Sequence, residues 1–305
     1  MYSRVPELRD VIARLAAGHP DPHRVDPHLK VLSTTQTTRP LNTFAEPSVA
    51  MVVQGAKRAI FGDRAFDYGP GQFFVVTVEV PLTSWITVAS EEAPFLAVGI
   101  TLDPTVIAEL LLDLPPEPAD STTNCLGVFD ASPALLDAVL RRLQLADSAA
   151  DRRVLAHAVT REIHWRLLNG PQGPLIRNVG RPDSSVAAVA RASSWLRTNV
   201  ERPYRATELA SAVGLSVSSV NRYFRRATAL SPLQYQKQLR LHAARLQLVS
   251  GQHDVASVGY GVGYSSASQF AREYKRFFGR SPRDEARGIA SGSDDPVAVE
   301  SPPGA

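Results

Sequence analysis

The chain has 305 residues, 44% of them hydrophobic, which is enough for two domains that each bury a core. No segment approaches the roughly 18 consecutive apolar residues that a membrane-spanning helix needs, and the first residues lack the apolar core of a signal peptide. We therefore expect a cytoplasmic protein without membrane contact. Its single cysteine, Cys125, excludes an internal disulfide and a multi-cysteine metal site.

Positive charge is concentrated near the C-terminus. The net charge of the whole chain is only +3, but residues 182–289 hold 16 basic and 7 acidic residues, a net charge of +9. The rest of the chain holds 17 basic and 23 acidic residues, a net charge of −6. This asymmetry is typical of a domain that binds a polyanion, although a solvated basic surface gives the same count.

The N-terminal half is predicted to be mainly β-sheet. Apolar residues at helical spacing predict a short helix over 5–16, followed by a loop rich in proline and histidine through His28. From 31 to 102, short β-branched and aromatic runs alternate with Gly, Pro and Asp turns, a pattern typical of a small antiparallel sandwich or barrel.

Three helices are predicted after the sheet, over residues 104–112, 132–145 and 151–168, with a loop at 114–124. The last two of these helices could pair with the same helices of a second copy of the chain. A polar, glycine- and proline-containing stretch then predicts an interdomain linker at 176–185. Residues 290–305 have the composition of a disordered tail.

An internal repeat occupies residues 186–287. A shift of 50 residues places Ser216 on Ser266 and Arg222 on Arg272, and each half predicts a short helix, a glycine turn and a second helix. The turn glycines are Gly214 and Gly263, because a tight turn usually needs one residue at positive φ. The second helices are expected to be capped by Ser216 in one half and by Ser265 or Ser266 in the other.

The second helix of each half has the pattern of a recognition helix, with apolar residues on one face and polar residues on the other. Arginine can bond a guanine edge twice, asparagine and glutamine can do so with adenine, and serine suits either base. The candidate DNA-binding residues are Ser216, Ser218, Asn221, Arg222, Arg225, Arg226, Ser266, Ser268, Gln269, Arg272, Lys275 and Arg276. The basic residues nearer the C-terminal ends, from Arg225 and Lys275 onward, are expected to contact mainly phosphates.

A single helix is predicted between the halves, from Pro232 to a stop at Gly251. About 18 residues at roughly 1.5 Å each give about 27 Å, which is comparable with the ~34 Å between major-groove faces one DNA turn apart. The two recognition helices are therefore predicted to enter successive major-groove faces.

Two long strings resemble the DNA-binding domain of the AraC/XylS family of bacterial transcription regulators. They are LASAVGLSVSSVNRYFRRATALSPLQYQKQLRLHAARLQL and VGYSSASQFAREYKRFFGRSPRDEAR. In the first 175 residues, PSVAMVVQGAKRAIFGDRAFDYGPGQFFVVTVEVPLTSWITVAS, LDP and REIHWRLLNGPQG resemble the cupin-like N-terminal domain of the same family.

The resemblance implies an α+β two-domain protein in which a β-rich cupin-like domain with trailing helices precedes an all-α DNA-binding domain. The domains are 1–175 for effector sensing or dimerisation and 186–289 for DNA binding, with helix-turn-helix motifs at about 206–227 and 255–277. The implied partners are promoter DNA, a second copy of the chain, a small-molecule effector and RNA polymerase, with activation favoured. The effector, the promoter and the sign of regulation are not specified by the sequence.

The second motif departs from the family pattern at four positions. Gly259 and Gly261 stand where alanine and a polar residue are more usual, and each is expected to weaken its helix by about 0.8–1 kcal/mol. Ser265 and Ala267 stand where an acidic residue and a proline are common. Base preference at this half-site therefore cannot be transferred from the family.

Enzymatic alternatives are disfavoured by the residues themselves. A metal cupin needs paired histidines on barrel strands, and residues 31–102 contain none. Alkyl-transfer repair needs an activated cysteine, and no basic or histidine-rich motif lies near Cys125. No catalytic residue, cofactor or metal site is predicted. A regulator whose N-terminal domain only dimerises stays open, and the contents of the barrel interior would discriminate it from an effector sensor.

Overall fold

The computed structural model describes residues 4–19, 22–115, 125–250 and 254–290. The chain divides into two compact units, an N-terminal unit of Met1–Ala190 with Arg226–Ala229 and a C-terminal unit of Arg191–Arg225 with Leu230–Ala305. Most of the predicted loop at 114–124 and of the predicted tail at 290–305 lies outside the described residues. In the described ranges, no helix is long and apolar enough to cross a membrane.

Two antiparallel sheets form the β-rich part of the N-terminal unit, in agreement with the predicted sandwich or barrel. One sheet has the order β1-β2-β9-β4-β7-β10 and the other has the order β3-β8-β5-β6. The strands are β1 His23–Asp26, β2 Leu29–Thr34, β3 Leu41–Ala45, β4 Ser48–Gln54, β5 Ala56–Phe61, β6 Arg64–Tyr68, β7 Gln72–Val76, β8 Val80–Val88, β9 Phe95–Thr101 and β10 Leu126–Asp130.

Two strands were not predicted. β1 lies in the segment expected to be a loop and pairs antiparallel with β2, and β10 lies beyond the predicted β region and pairs with β7. Both are edge strands of the six-stranded sheet, and β1 has no buried residue. A short edge strand without alternating burial leaves no period-two pattern in the sequence, which is why it was missed.

Helices cover one face of the six-stranded sheet. They are α1 Val5–Ala16, α2 Pro104–Leu111, α3 Pro133–Gln144, α4 Ala149–Leu168 and α5 Gly173–Arg177. The first four confirm the predicted helices to within two residues. Leu8 and Ile12 of α1 are fully buried in one core with sheet residues such as Val31 and Val98 and with helix residues such as Leu136.

Aromatic rings fill space between the two sheets. Phe74 of β7, in the six-stranded sheet, lies 5.4 Å from Phe66 and 5.5 Å from Tyr68 of β6, in the other sheet, measured between ring centroids. Tyr68 and Phe74 are both buried. The interior of the β domain is therefore occupied, at least at this point, by its own side chains.

The C-terminal unit is helical. Its helices are α6 Ser185–Thr198, which begins in the N-terminal unit, α7 Ala206–Val213, α8 Val217–Thr228, whose residues from Arg226 onward are counted with the N-terminal unit, α9 Pro232–Val249, α10 Val255–Gly261, α11 Ala267–Phe278 and α12 Pro282–Ala290. Leu241, Ala244 and Leu248 of α9 form a core with Phe270 and Tyr274 of α11. The spacer helix α9 and helix α11 thus share one core.

Candidate nucleic-acid interface

The first helix-turn-helix consists of α7, a turn at Gly214 and α8. Gly214 has a φ of 70°, a left-handed conformation that L side chains rarely adopt, so the glycine predicted for this turn is required by the backbone. The Ser216 hydroxyl accepts a hydrogen bond of 3.2 Å from the backbone N–H of Ser219, as expected for the cap of α8.

The two faces of α8 differ sharply. Val220 and Phe224 are buried, and the Phe224 ring meets Tyr235 of α9 edge to face with 5.0 Å between centroids. The opposite face is exposed and carries Ser218, Arg222, Arg225 and Arg226. These positions follow the spacing i, i+4, i+7 and i+8, so they share one side of the helix.

Some of the predicted DNA-binding residues of the first motif have local partners. The side-chain amide of Asn221 donates to the Val217 carbonyl at 3.0 Å, and Asn221 is only half-exposed. The Arg222 guanidinium lies 5.1 Å from the centroid of the Tyr223 ring. Asn221 therefore lies at the border of the exposed face, whereas Arg222 lies within it.

The second helix-turn-helix repeats the geometry of the first. Its turn glycine, Gly263, has a φ of 91°, and Ser266 accepts a 3.3 Å hydrogen bond from the N–H of Gln269 at the start of α11. Of the two serines that the sequence left open as caps, the structure selects Ser266. The exposed residues are Ser268, Arg272, Lys275 and Arg276, each 50 positions after its counterpart on α8.

Gly259 has a packing role that the sequence did not reveal. A Cβ built at Gly259 would lie 2.9 Å from a ring carbon of Phe270, which is fully buried in the core beneath α11. A Cβ at Gly261 would meet nothing within 4 Å. Gly259 therefore has a packing role in addition to its expected effect on α10, because its missing side chain leaves room for the Phe270 ring of α11.

This contrast gives a matched pair of substitutions. Gly261→Ala is expected to stabilise the protein by about 0.4–1 kcal/mol, because alanine restricts the unfolded chain and causes no clash. Gly259→Ala is expected to destabilise it, because Phe270 must move. Urea unfolding of both variants measures the difference, and equal effects of the two substitutions would contradict this account of α10.

Glu273 organises the inner edge of α11 and was missed as a functional residue. Its carboxylate accepts hydrogen bonds from Lys237 Nζ at 3.0 Å, from Gln269 Nε2 at 3.1 Å and from the Tyr264 hydroxyl at 3.0 Å. Burial works to raise the pKa of Glu273, but these donors outweigh it, so the pKa lies below its ordinary value. Glu273 thereby holds the amide of Gln269, a candidate base-contacting residue, in one orientation. The i, i+4 spacing of Gln269 and Glu273 was the available signal.

The spacer helix has the length that the sequence predicted. α9 has 18 residues and begins with a capping box in which Ser231 and Gln234 bond reciprocally. At 1.5 Å per residue its axis is about 27 Å long. It joins two motifs that each expose three basic residues.

Cys125 lacks the character of a reactive cysteine. The side chain is buried, and burial raises the pKa of its thiol to about 12. A protonated thiol is a poor nucleophile.

Sequence comparisons match both halves of the chain. A family model described as the N-terminus of AraC-type transcriptional regulators matches residues 26–175, and a helix-turn-helix domain model matches residues 209–287. The HTH-type transcriptional regulator ArgR of Pseudomonas aeruginosa is 31% identical over 175 residues, which are 57% of this chain and 50% of that protein. The HTH-type transcriptional activator RhaS of Yersinia pestis is 32% identical over 90 residues, which are 30% of this chain and 33% of that protein. The matches therefore span half or less of these relatives.

Solved structures with the same fold include ToxT from Vibrio cholerae. An apo variant of ToxT has a TM-score of 0.58 and 9% identity, covering 87% of this chain and 98% of that one. Wild-type ToxT bound to an unsaturated fatty acid has a TM-score of 0.56 and 9% identity, covering 88% and 96%. At such low identity the likeness shows the fold alone.

The fold is that of a two-domain helix-turn-helix protein, with a β-rich unit followed by two capped helix-turn-helix motifs. With both halves matched, the chain belongs to the AraC-type transcriptional regulators. That family consists of transcription regulators and not of enzymes.

Proposed function

We propose that this chain regulates transcription by binding promoter DNA with α8 and α11 in successive major-groove faces. One observation carries the proposal: two capped helices expose one serine and three basic residues each, at positions related by a shift of 50. If these exposed residues served only to stabilise the fold, the same set would not need to occur on both helices.

The roles of the residues follow from their place on each helix. Residues in the first two turns, such as Ser218, Arg222 and Arg272, contact base edges, since the N-terminal part of a recognition helix enters the groove. Basic residues in the last turns contact phosphates and set the register on the duplex. These are Arg225, Arg226, Lys275 and Arg276.

Selection of binding sites from random DNA with the purified protein tests this function. We expect an asymmetric motif whose two conserved blocks are centred about 10 base pairs apart, one turn of the duplex. Recovery of no enriched motif would contradict sequence-specific binding. One short block would contradict the use of both helices.

We propose that a second copy of the chain pairs on the N-terminal half of α4. Burial along α4 is confined to its C-terminal half, at residues such as Ile163 and Leu167, whereas Val154 is 70% exposed and Leu155 is 45% exposed. Adjacent large apolar residues exposed on a helix are a liability in a monomer, and a self-complementary helix pair would cover them.

Charge placed on this apolar surface is expected to separate the dimer. In Val154→Glu/Leu155→Glu, the dissociation constant measured by sedimentation equilibrium should rise by about tenfold or more, which is 1.4 kcal/mol. The matched control is Val88→Glu, since Val88 is also exposed but lies on β8. A monomeric wild type, or an equal effect of the control, would contradict the proposed interface.

Two roles are candidates for the N-terminal domain. The first is to bind a small-molecule effector, and the second is to dimerise without any small-molecule ligand. The packing of Phe74 against Phe66 and Tyr68 between the sheets favours that second candidate. A cavity of about 320 Å³, lined by apolar residues of α2 together with Arg177 and Arg181, favours an effector that binds outside the sheets. A thermal-shift screen of the full chain decides between them, since consistent silence across a broad metabolite panel supports the ligand-free candidate.

The sign of regulation is proposed to be activation through contact with RNA polymerase. The support is the relative RhaS, which is named as a transcriptional activator. A reporter gene behind the selected site should be expressed more strongly when the protein is present. Weaker expression would identify a repressor.

A further inference from the structure

Arg240, near the middle of α9, joins two turns that are distant in sequence. Its Nε donates to the Val200 carbonyl at 2.8 Å, and its Nη2 donates to the Arg202 carbonyl at 2.8 Å. Its Nη1 donates to the carbonyl of Gly263 at 2.8 Å. The first two acceptors lie in the turn that leads from α6 to α7, and the third lies in the turn of the second helix-turn-helix.

The two turns contact each other as well as Arg240. A Cβ built at Gly263 would lie 2.4 Å from the Glu201 carbonyl oxygen and 2.9 Å from Nη2 of Arg240. Glycine is therefore needed at this position both for its φ of 91° and for the close approach of the other turn. The turn of the second helix-turn-helix thus packs against the turn that precedes α7, the first helix of the first helix-turn-helix.

A second side chain of α9 secures the same turn. Gln236, four residues before Arg240 and buried, donates through Nε2 to the carbonyls of Asn199 at 3.0 Å and Arg202 at 3.1 Å. Carbonyls just after a helix lack intrahelical donors, so these side chains supply bonds that the turn would otherwise make with water. Gln236 reaches only the 199–202 turn, whereas Arg240 reaches both turns.

We propose that Arg240 is the positioning residue that fixes the separation of the two recognition helices. Its planar guanidinium holds α9, the turn leading into α7 and the turn leading into α11 in one arrangement, without contacting DNA itself. Lysine keeps the charge but lacks the planar set of N–H donors of a guanidinium, so it cannot bond the carbonyls of both turns in the same geometry. This inference rests on the proposed binding of two successive major-groove faces.

The test varies the spacing between the two half-sites of the selected DNA by one or two base pairs in either direction, using the full chain. Joining two binding modules in the right geometry raises affinity by about 10²–10⁴-fold, so we expect wild type to prefer one spacing by about tenfold or more. In Arg240→Lys this preference should fall to about threefold or less, while affinity for a duplex with the first half-site alone stays within about twofold. The control is Arg245→Lys, because Arg245 lies on the same helix but pairs with Glu285 of α12.

Each outcome decides the proposal. A wild-type spacing profile in folded Arg240→Lys would overturn it, and so would an equal loss of affinity for single and paired half-sites, which would indicate a merely structural role. Circular dichroism reports folding, and Arg240→Gln serves if the lysine variant unfolds. Unfolding of both variants would also overturn the proposal. Absence of any spacing preference in wild type would instead refute the binding of two successive groove faces, and the role of Arg240 with it.

Discussion

Arg222→Ala is expected to weaken binding to the preferred DNA site by about 1–3 kcal/mol, which is roughly 5- to 150-fold in Kd. Arg222 is exposed in the N-terminal half of α8, four residues after Ser218. That half is the part of a recognition helix that enters the groove. A bidentate bond to guanine is worth this much discrimination. The variant should also lose base preference within one half-site, which competition with singly mutated duplexes measures.

Arg226→Ala is the matched comparison on the same exposed face. Arg226 is four residues further along α8 and is expected to contact a phosphate, so its loss should weaken binding to all sequences alike. The slope of log K against log salt should fall in magnitude by about 1. If neither variant changed affinity for the selected DNA at moderate salt, α8 would not be a recognition helix.

Glu285→Ala is expected to cost about 3–5 kcal/mol of unfolding free energy, the largest stability effect anticipated for this chain. Glu285 is 4% exposed and accepts a 3.0 Å hydrogen bond from Nε of Arg245, whose side chain is 11% exposed. Removing the carboxylate leaves a guanidinium buried without its counter-charge, and the cost arises from that desolvated charge rather than from the lost pair alone.

The control for this substitution is the exposed pair of Arg205 and Glu208, whose nearest charged atoms are 3.5 Å apart. Glu208→Ala should change the free energy of unfolding by no more than about 1 kcal/mol, because water screens the pair. Urea unfolding followed by circular dichroism measures both variants. A small loss in Glu285→Ala, similar to that of the control, would show that α12 is not held by its buried ion pair.

The parts of this protein that could be predicted from the sequence are those governed by local periodicity. The helix period of 3.6 residues predicts that positions such as Ser218, Arg222 and Arg225 share a face, and in the structure all three are exposed. The positive φ values of Gly214 and Gly263 likewise follow from the demands of a tight turn.

The parts that were missed depend on contacts between residues far apart in sequence. Gly259 resembles a helix-weakening residue until the Phe270 ring is placed beside it. In the sequence, nothing distinguishes Arg240 from the other basic residues of its helix. Only the folded chain brings the carbonyls of Val200 and Gly263 within hydrogen-bonding distance of its guanidinium. The strand β10 is recognised through its pairing with β7, which no local pattern records.

Methylation interference on the selected site tests the central claim, that two recognition helices bind successive major-groove faces. We expect two clusters of guanines whose N7 methylation blocks binding, on one face of the duplex and about 34 Å apart along its axis. The first cluster should lose its effect in Arg222→Ala and the second in Arg272→Ala, or the reverse. A single cluster, or two clusters on opposite faces of the duplex, would contradict the account.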